Sequence, residues 1–307
     1  MIAENSIENN VEAQSIPIEA STSKVKDYVQ LIKFRLSFLV VFSATATFLL
    51  GSSGEINWLK LAMLVIGGFM VTGSSNAFNQ IIERDLDKLM SRTQKRPLPD
   101  NRMNINEAMI FSFIMGIAGV VLLYYFINPI CAVLGLIALL SYTLVYTPLK
   151  KHTPFAVFVG AFPGAIPPML GWVAATGRLD VIAFILFSIQ FIWQFPHFWA
   201  IAWVLDDDYK KAGFKMLPSL GGRNKASAFQ ALVYCISLIP ISLLPFFFHI
   251  TGIISSIVIV IAGIFFLSKA MKLYNTLTVE DAKALMFASF IYLPVVQIAM
   301  FLDKVSS

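Results

Sequence analysis

Asn79, Glu83 and Asp87 stand four residues apart within the run NQIIERDLDKLMSRTQKRPLP, residues 79–99. On a helix, four residues advance about 400°, so the three side chains form one stripe roughly 12 Å long. All three offer oxygen ligands, whereas Asp85 faces away. Such a stripe suits Mg2+, which takes one or two carboxylates and bridges to substrate phosphates. Arg92 and Arg96 follow on the same run, and a guanidinium is the natural fork for a phosphate. Metal ligands beside phosphate ligands are what the loss of a diphosphate needs, because the departing charge must be neutralised. A local alternative is that the acids pair with basic residues one turn along.

A second acidic cluster opens DDDYKKAGFKMLPSLGG, residues 206–222. Asp206, Asp207 and Asp208 repel one another unless a cation or Lys210 and Lys211 offset them. With the first cluster on the same side, Asp207 and Asp208 are candidate second metal ligands around a diphosphate. His197 lies within an apolar run, and an ionisable residue inside a membrane helix is a functional candidate by default.

The elements that must position these groups are membrane helices. The chain has 307 residues, 57% hydrophobic and 13% charged, against about a quarter charged in soluble domains. A spanning helix needs about 20 mainly apolar residues, and nine segments qualify: about 33–51, 59–82, 108–126, 129–147, 155–174, 181–204, 228–247, 250–268 and 284–302. Residues 1–28 read as a flexible tail without the apolar run of a signal peptide, leaving 29–307 as a single transmembrane domain. With nine spans, the basic residues fall almost wholly on one side. Only Lys60, Arg178 and Lys304 of the 23 lie on the other. Basic loops stay cytoplasmic, which puts the N-terminus and both acidic clusters inside and the C-terminus outside. The pI near 9.1 is this topology signal and implies no nucleic-acid partner. Cys131 and Cys235 have no metal-type spacing and read as buried small hydrophobes. GAFPGAIPP (160–168) either kinks the fifth span or packs it closely on its neighbours.

The string N-x-x-x-E-x-x-x-D-x-x-x-x-R-T-x-x-R-P-L, Asn79 to Leu98, resembles the first aspartate-rich motif of the UbiA-type intramembrane prenyltransferases. YTPLKKHTP (146–154), GAFPGAIPPMLGW (160–172), WQFPHFWAIAW (193–203) and DYKKAGFKMLP (208–218) are similar to the protoheme IX farnesyltransferase (heme O synthase) branch. These blocks cover nearly the whole membrane part. Three positions depart from the pattern. Glu83 stands where family members commonly have Asp, the second cluster lacks the sister branches' D-x-x-x-D, and Phe34 follows Lys33 where proline is expected.

The resemblance implies an all-α membrane protein with nine transmembrane helices around a central cavity, in a bacterial inner membrane. It implies transfer of a farnesyl group from farnesyl diphosphate to the 2-vinyl group of heme b, with water addition, giving heme O. Asn79, Glu83 and Asp87 hold Mg2+, with Asp207 or Asp208 as a second anchor. Arg92, Arg96, Lys150, Lys151 and Lys211 neutralise the diphosphate. Trp193, Gln194 and His197 bind the porphyrin, the histidine through iron or a propionate. A heme A synthase or terminal oxidase assembly is the expected downstream contact. Two rival readings are a prenyltransferase acting on an aromatic acceptor such as 4-hydroxybenzoate, and a transporter using the stripe as an ion path. A transporter needs acids near mid-span, and here every Asp and Glu lies at or beyond a helix end.

Overall fold

The computed structural model describes residues 23–305, all helix and connecting loops but for one isolated bridge between Thr251 and Lys304. A short helix α1 (Lys24–Leu31) precedes α2 (Phe34–Gly51) and α3 (Trp58–Asp87). Then come α4 (Ile105–Phe126), α5 (Pro129–Leu140), a π-helical turn (Ser141–Tyr146) and α6 (Thr147–Leu149). The rest is α7 (Ala156–Thr176), α8 (Val181–Val204), α9 (Asp206–Lys211), α10 (Lys225–Ser242), α11 (Leu244–Phe247), α12 (Ile253–Thr276) and α13 (Val279–Leu302). Nine stretches among the described residues are long and apolar enough to cross a membrane, Pro129–Leu149 and Lys225–Phe247 each counting as one. These are the nine segments that hydropathy picks out.

Six of these spans start on a side-chain cap. Asn57, Asn104, Asn128, Asp180, Asn224 and Thr278 each accept a hydrogen bond from a first-turn backbone N–H. Those amides have no intrahelical partner, and a short polar side chain satisfies them where the chain enters lipid. The break between α10 and α11 comes at Leu243, with Pro245 in the first turn of α11, while α7 and α13 run unbroken across their prolines.

The expected flexible tail, residues 1–28, needs correcting. Residues 1–22 lie outside the described residues, but 24–28 belong to α1. So short a helix is marginal alone, and tertiary contacts hold it. Arg102 reaches Asp27 at 3.0 Å, Tyr28 donates to Glu107 at 2.8 Å, and Leu31 packs with Ala77, Ile81 and Leu98.

Spans consecutive in the chain pack on one another, and α13 returns to α2; α2 also packs against α7, and α8 against α13. Between lipid-exposed helices there is no hydrophobic drive, so close backbone approach and hydrogen bonds do the joining. A Cβ built on Gly171 of α7 falls on the Ala44 carbonyl and Thr47 Oγ1 of α2, and one on Gly164 falls on the Gln194 amide of α8. The small residues of GAFPGAIPP therefore pack α7 closely on its neighbours. Buried Ser43, Gln190 and Gln297 hydrogen-bond together and join α2, α8 and α13, while Gln190 Nε2 donates to the Gly164 carbonyl at 2.6 Å. At the far end, Lys304 donates to the Leu49 and Ser52 carbonyls, tying the end of α13 to that of α2.

Gly171→Val forces α7 off the α2 backbone. It lowers stability by about 1–3 kcal/mol, as overpacking does, read as a lower melting temperature in detergent. Glycine-to-valine change at the exposed turn residue Gly54 meets no neighbouring atom, although its positive φ makes some strain cost of its own.

Candidate active site

Helix α3 runs on to Asp87, so Asn79, Glu83 and Asp87 do share one helical face. All three are buried, at 1%, 4% and 0% exposure. Each meets a basic side chain from a different segment. Lys33 Nζ donates to Asn79 Oδ1 at 2.9 Å, Lys150 Nζ lies 2.7 Å from Glu83 Oε1, and Arg96 donates to Asp87 Oδ2 at 2.6 Å. The acids are thus ion-paired, but with distant partners and not with bases one turn along.

Local structure explains each arrival. Lys33 sits in the turn between α1 and α2 with φ +48°, a left-handed conformation that L-residues rarely adopt. The neighbouring Gln80 of α3 holds that turn by donating to the Gln30 and Leu31 carbonyls at 2.9 and 2.8 Å. Lys150 follows the π-helical turn, a feature often found at functional sites. There Thr147 Oγ1 donates to the Tyr142 carbonyl and accepts from Asn79 Nδ2. The Lys150 head lies 4.7 Å from the Tyr146 ring centre, and its carbonyl accepts from Lys215 N–H. Arg96 belongs to the loop after α3. Thr93 Oγ1 anchors that loop on the Asp87 carbonyl at 2.8 Å, and Pro97, Leu98 and Pro99 are buried.

Three basic groups here face two carboxylates and one neutral amide. Burial opposes the charge on Lys150, but Glu83 beside it holds its pKa above the ordinary value. Burial, with the Arg96 and Lys150 charges, presses Lys33 well below its ordinary value. Two acidic oxygens are left without a hydrogen-bond partner: Asp87 Oδ1 is buried with none, and Glu83 Oε1 meets Lys150 at 2.7 Å out of line for one. Carboxylate and amide oxygens on one face with an unsatisfied atom among them are donor chemistry that fits a hard divalent cation. Among the described residues no three His, Cys, Asp or Glu side chains stand together as a metal cage.

The second cluster makes ion pairs of its own. Asp207, expected as a metal ligand, has a 76% exposed side chain and pairs with Arg223 at 3.0 Å. Asp208, expected likewise, accepts from the backbone N–H groups of Ser91 and Arg92 at 3.0 and 3.2 Å and from Lys211 at 3.0 Å. Lys211, expected on the diphosphate, also donates to Ser91 Oγ. Against the cost of partial burial, Lys211 and the two amides hold the Asp208 carboxyl down at about 2. Asp208 thereby clamps the loop after α3. Arg92 and Lys151 are exposed and make no polar side-chain contact among the described residues.

The porphyrin candidates stand elsewhere in the bundle. His197 is buried, accepts or donates through Nδ1 to Ser289 Oγ at 2.8 Å, and stacks on Trp193 at 4.4 Å. Trp193 Nε1 donates to the Ser289 carbonyl, so both residues face α13. Gln194 faces α7 instead, donating to the Ala161 carbonyl at 2.9 Å. Lys33 and Thr147 were missed by sequence reasoning. Lys33 lies next to an apolar run and reads there as a topology charge; only its left-handed turn brings it to Asn79.

The UbiA prenyltransferase family profile matches residues 39–292. A curated protoheme IX farnesyltransferase from Cytophaga hutchinsonii is 48% identical over 283 residues, covering 92% of this chain and 99% of that protein. Among solved structures, a digeranylgeranylglyceryl phosphate synthase superposes with a TM-score of 0.77 at 26% identity, over 92% of this chain and 99% of its own. A UbiA homolog from Archaeoglobus fulgidus bound to GPP and Mg2+ gives 0.68 at 14% identity, over 89% and 99%.

Lys150→Met leaves Glu83 buried and unpaired, which destabilises by about 3–5 kcal/mol. Glu83→Gln in the same chain restores most of that loss. Unfolding of the two single variants and the double variant, compared as a cycle, measures the coupling; additive losses contradict the buried pair.

Proposed function

Because this chain belongs to the UbiA prenyltransferase family, we propose that it transfers a farnesyl group from farnesyl diphosphate to the 2-vinyl group of heme b, giving heme O and diphosphate. The observation that carries the reading is the buried stripe Asn79, Glu83 and Asp87 with Lys33, Arg96 and Lys150 around it. It joins phosphate-binding cations to metal-binding oxygens, in a chain similar over 92% of its length to a protoheme IX farnesyltransferase.

Asn79, Glu83 and Asp87 hold Mg2+, which when bound supplies the positive charge that steadies a departing diphosphate. Arg96 and Lys150 bind the phosphate oxygens. Arg92 and Lys151, free at the rim, draw the anion in from water. Burial excludes water from the stripe and strengthens each of these contacts. The C–O bond to diphosphate breaks, the allylic carbon is taken by the electron-rich vinyl group, and water adds as hydroxyl with loss of a proton. His197 holds the porphyrin, with Ser289 on Nδ1 leaving Nε2 for the acceptor, and the Trp193 ring packs against it. The site opens to the cytoplasm of a bacterial inner membrane, a placement supported by the side on which the basic loops gather. A heme A synthase or terminal oxidase assembly on the same membrane receives the product. The aromatic-acceptor reading has less support, since the relatives are named for a porphyrin acceptor.

Purified protein with heme b, farnesyl diphosphate and Mg2+ yields a porphyrin heavier by one farnesyl and one water in mass spectrometry. EDTA abolishes it, and Asp87→Asn lowers turnover by about a hundredfold or more. Product formed at full rate in EDTA contradicts the metal assignment. A product on 4-hydroxybenzoate but none on heme b moves the assignment to the aromatic acceptor.

His197→Ala weakens heme b binding by about tenfold, the loss of roughly one good contact, and leaves farnesyl diphosphate binding unchanged. Equal losses for both ligands, measured by titration, remove the histidine from the acceptor site.

A further inference from the structure

The end of α3 that carries the acidic stripe has a second polar face. Each helical residue advances about 100°, so Arg84 and Lys88 share a face one step round from Glu83 and Asp87. They line a cavity of about 350 Å³ together with Leu98, Asn101, Met103, Asn104 and Ile105. None of these belongs to the candidate active site. The volume lies at the lower end of the range for small-molecule sites.

The polar lining is rich in donors, and no carboxylate is part of it. Asp85 reaches Arg84 and Lys88 at 3.4 Å, but its own side chain is 67% exposed, and ion pairs so open to water contribute little. Two cations against one carboxylate leave a positive charge over. Asn101 turns the chain at φ +55°, a conformation Asn tolerates. Asn104 caps α4 through its side-chain oxygen, on the Asn106 N–H, which leaves its NH2 group as a donor. The rest of the lining is apolar. Leu98 and Met103 are buried, while Ile105 is exposed and opens α4. Met109 and Phe113 follow Ile105 at four-residue steps and are also exposed, so the three form one lipid-facing stripe down the span. Phe78 of α3 flanks it, edge-on to Phe113 at 4.9 Å. Donors for an anion thus stand at the head of an apolar track. A free phosphate uses only the first of these features; a phospholipid uses both.

We propose that this cavity binds an anionic phospholipid, its phosphate on Arg84, Lys88 and the Asn104 amide and an acyl chain along Ile105, Met109 and Phe113. A guanidinium forks a phosphate, and an ammonium adds a point charge. Basic pockets between membrane helices, at the level of the lipid headgroups, are where anionic lipids are held. The site lies on the loop that also carries Arg96, yet it takes no group from the acidic stripe or its bases. It needs the membrane spans and not the prenyl-transfer reading.

The test is native mass spectrometry of the full chain in detergent, given phosphatidylglycerol or phosphatidylcholine with identical acyl chains. Wild type is expected to retain one phosphatidylglycerol about tenfold more tightly than phosphatidylcholine, the advantage that basic side chains near a headgroup supply. Arg84→Gln with Lys88→Gln is expected to lose that preference. Lys26→Gln with Lys215→Gln, which removes two exposed charges from the same end of the bundle, is expected to keep it. Equal retention of the two lipids by wild type overturns the proposal. So does a preference that survives Arg84→Gln with Lys88→Gln, or one lost equally in the control pair, which marks a diffuse field and no site. Inorganic phosphate retained without any lipid preference makes the cavity a free-anion site and overturns the lipid assignment. Should the Arg84 and Lys88 variant fail to fold, shown by its elution and melting, a photoreactive phosphatidylglycerol on wild type decides: label within residues 84–113 supports the site, and label confined to other spans overturns it.

Discussion

A carboxylate buried at the end of a membrane helix needs a cation or a set of donors within reach, since an unpaired charge there costs several kcal/mol. Glu83 and Asp87 impose that demand on the fold. The α1–α2 turn brings Lys33 to the Asn79 amide, and two further segments answer the carboxylates: the π-helical end of the fourth span with Lys150, and the loop after α3 with Arg96. Much of this end of the bundle is explained by what holds these segments in place. Gln80 fixes the first, Thr147 and Tyr146 the second, and Thr93 with the buried prolines the third.

The second acidic cluster serves the same demand from outside. Asp208 binds the backbone of Ser91 and Arg92, and Asp206 pairs with Lys210 at 2.7 Å. Of its three acids, Asp208 contacts the loop that carries Arg96, while Asp207 pairs with Arg223. Of the two acid-rich runs, one lines a buried helix face and the other, through Asp208, holds a loop.

The bundle below the site is joined by polar contacts that lipid cannot compete for. Ser43, Gln190 and Gln297 link three spans, and glycines of α7 let it approach α2 and α8. His197 and Trp193 belong to this layer, against α13, and not to the acidic mouth. A reactive prenyl chain and a flat apolar acceptor meeting in one bundle need this division. Charge is handled at one end of the bundle and apolar surface along its spans.

Hydropathy and periodicity are local properties of the chain, and they determined the nine spans, the common face of Asn79, Glu83 and Asp87, and the singular position of His197. Which base meets which acid was not legible in the sequence, because those contacts join residues far apart in the chain, 46 positions for Lys33 and Asn79. Nor could composition tell Asp208 on backbone amides from an acid on a metal, since both call for the same residue type. The helical state of 24–28 was hidden for a related reason: a helix so short forms only on the surface it docks against. Local pattern placed the oxygens in this protein; only the tertiary structure decided what each oxygen holds.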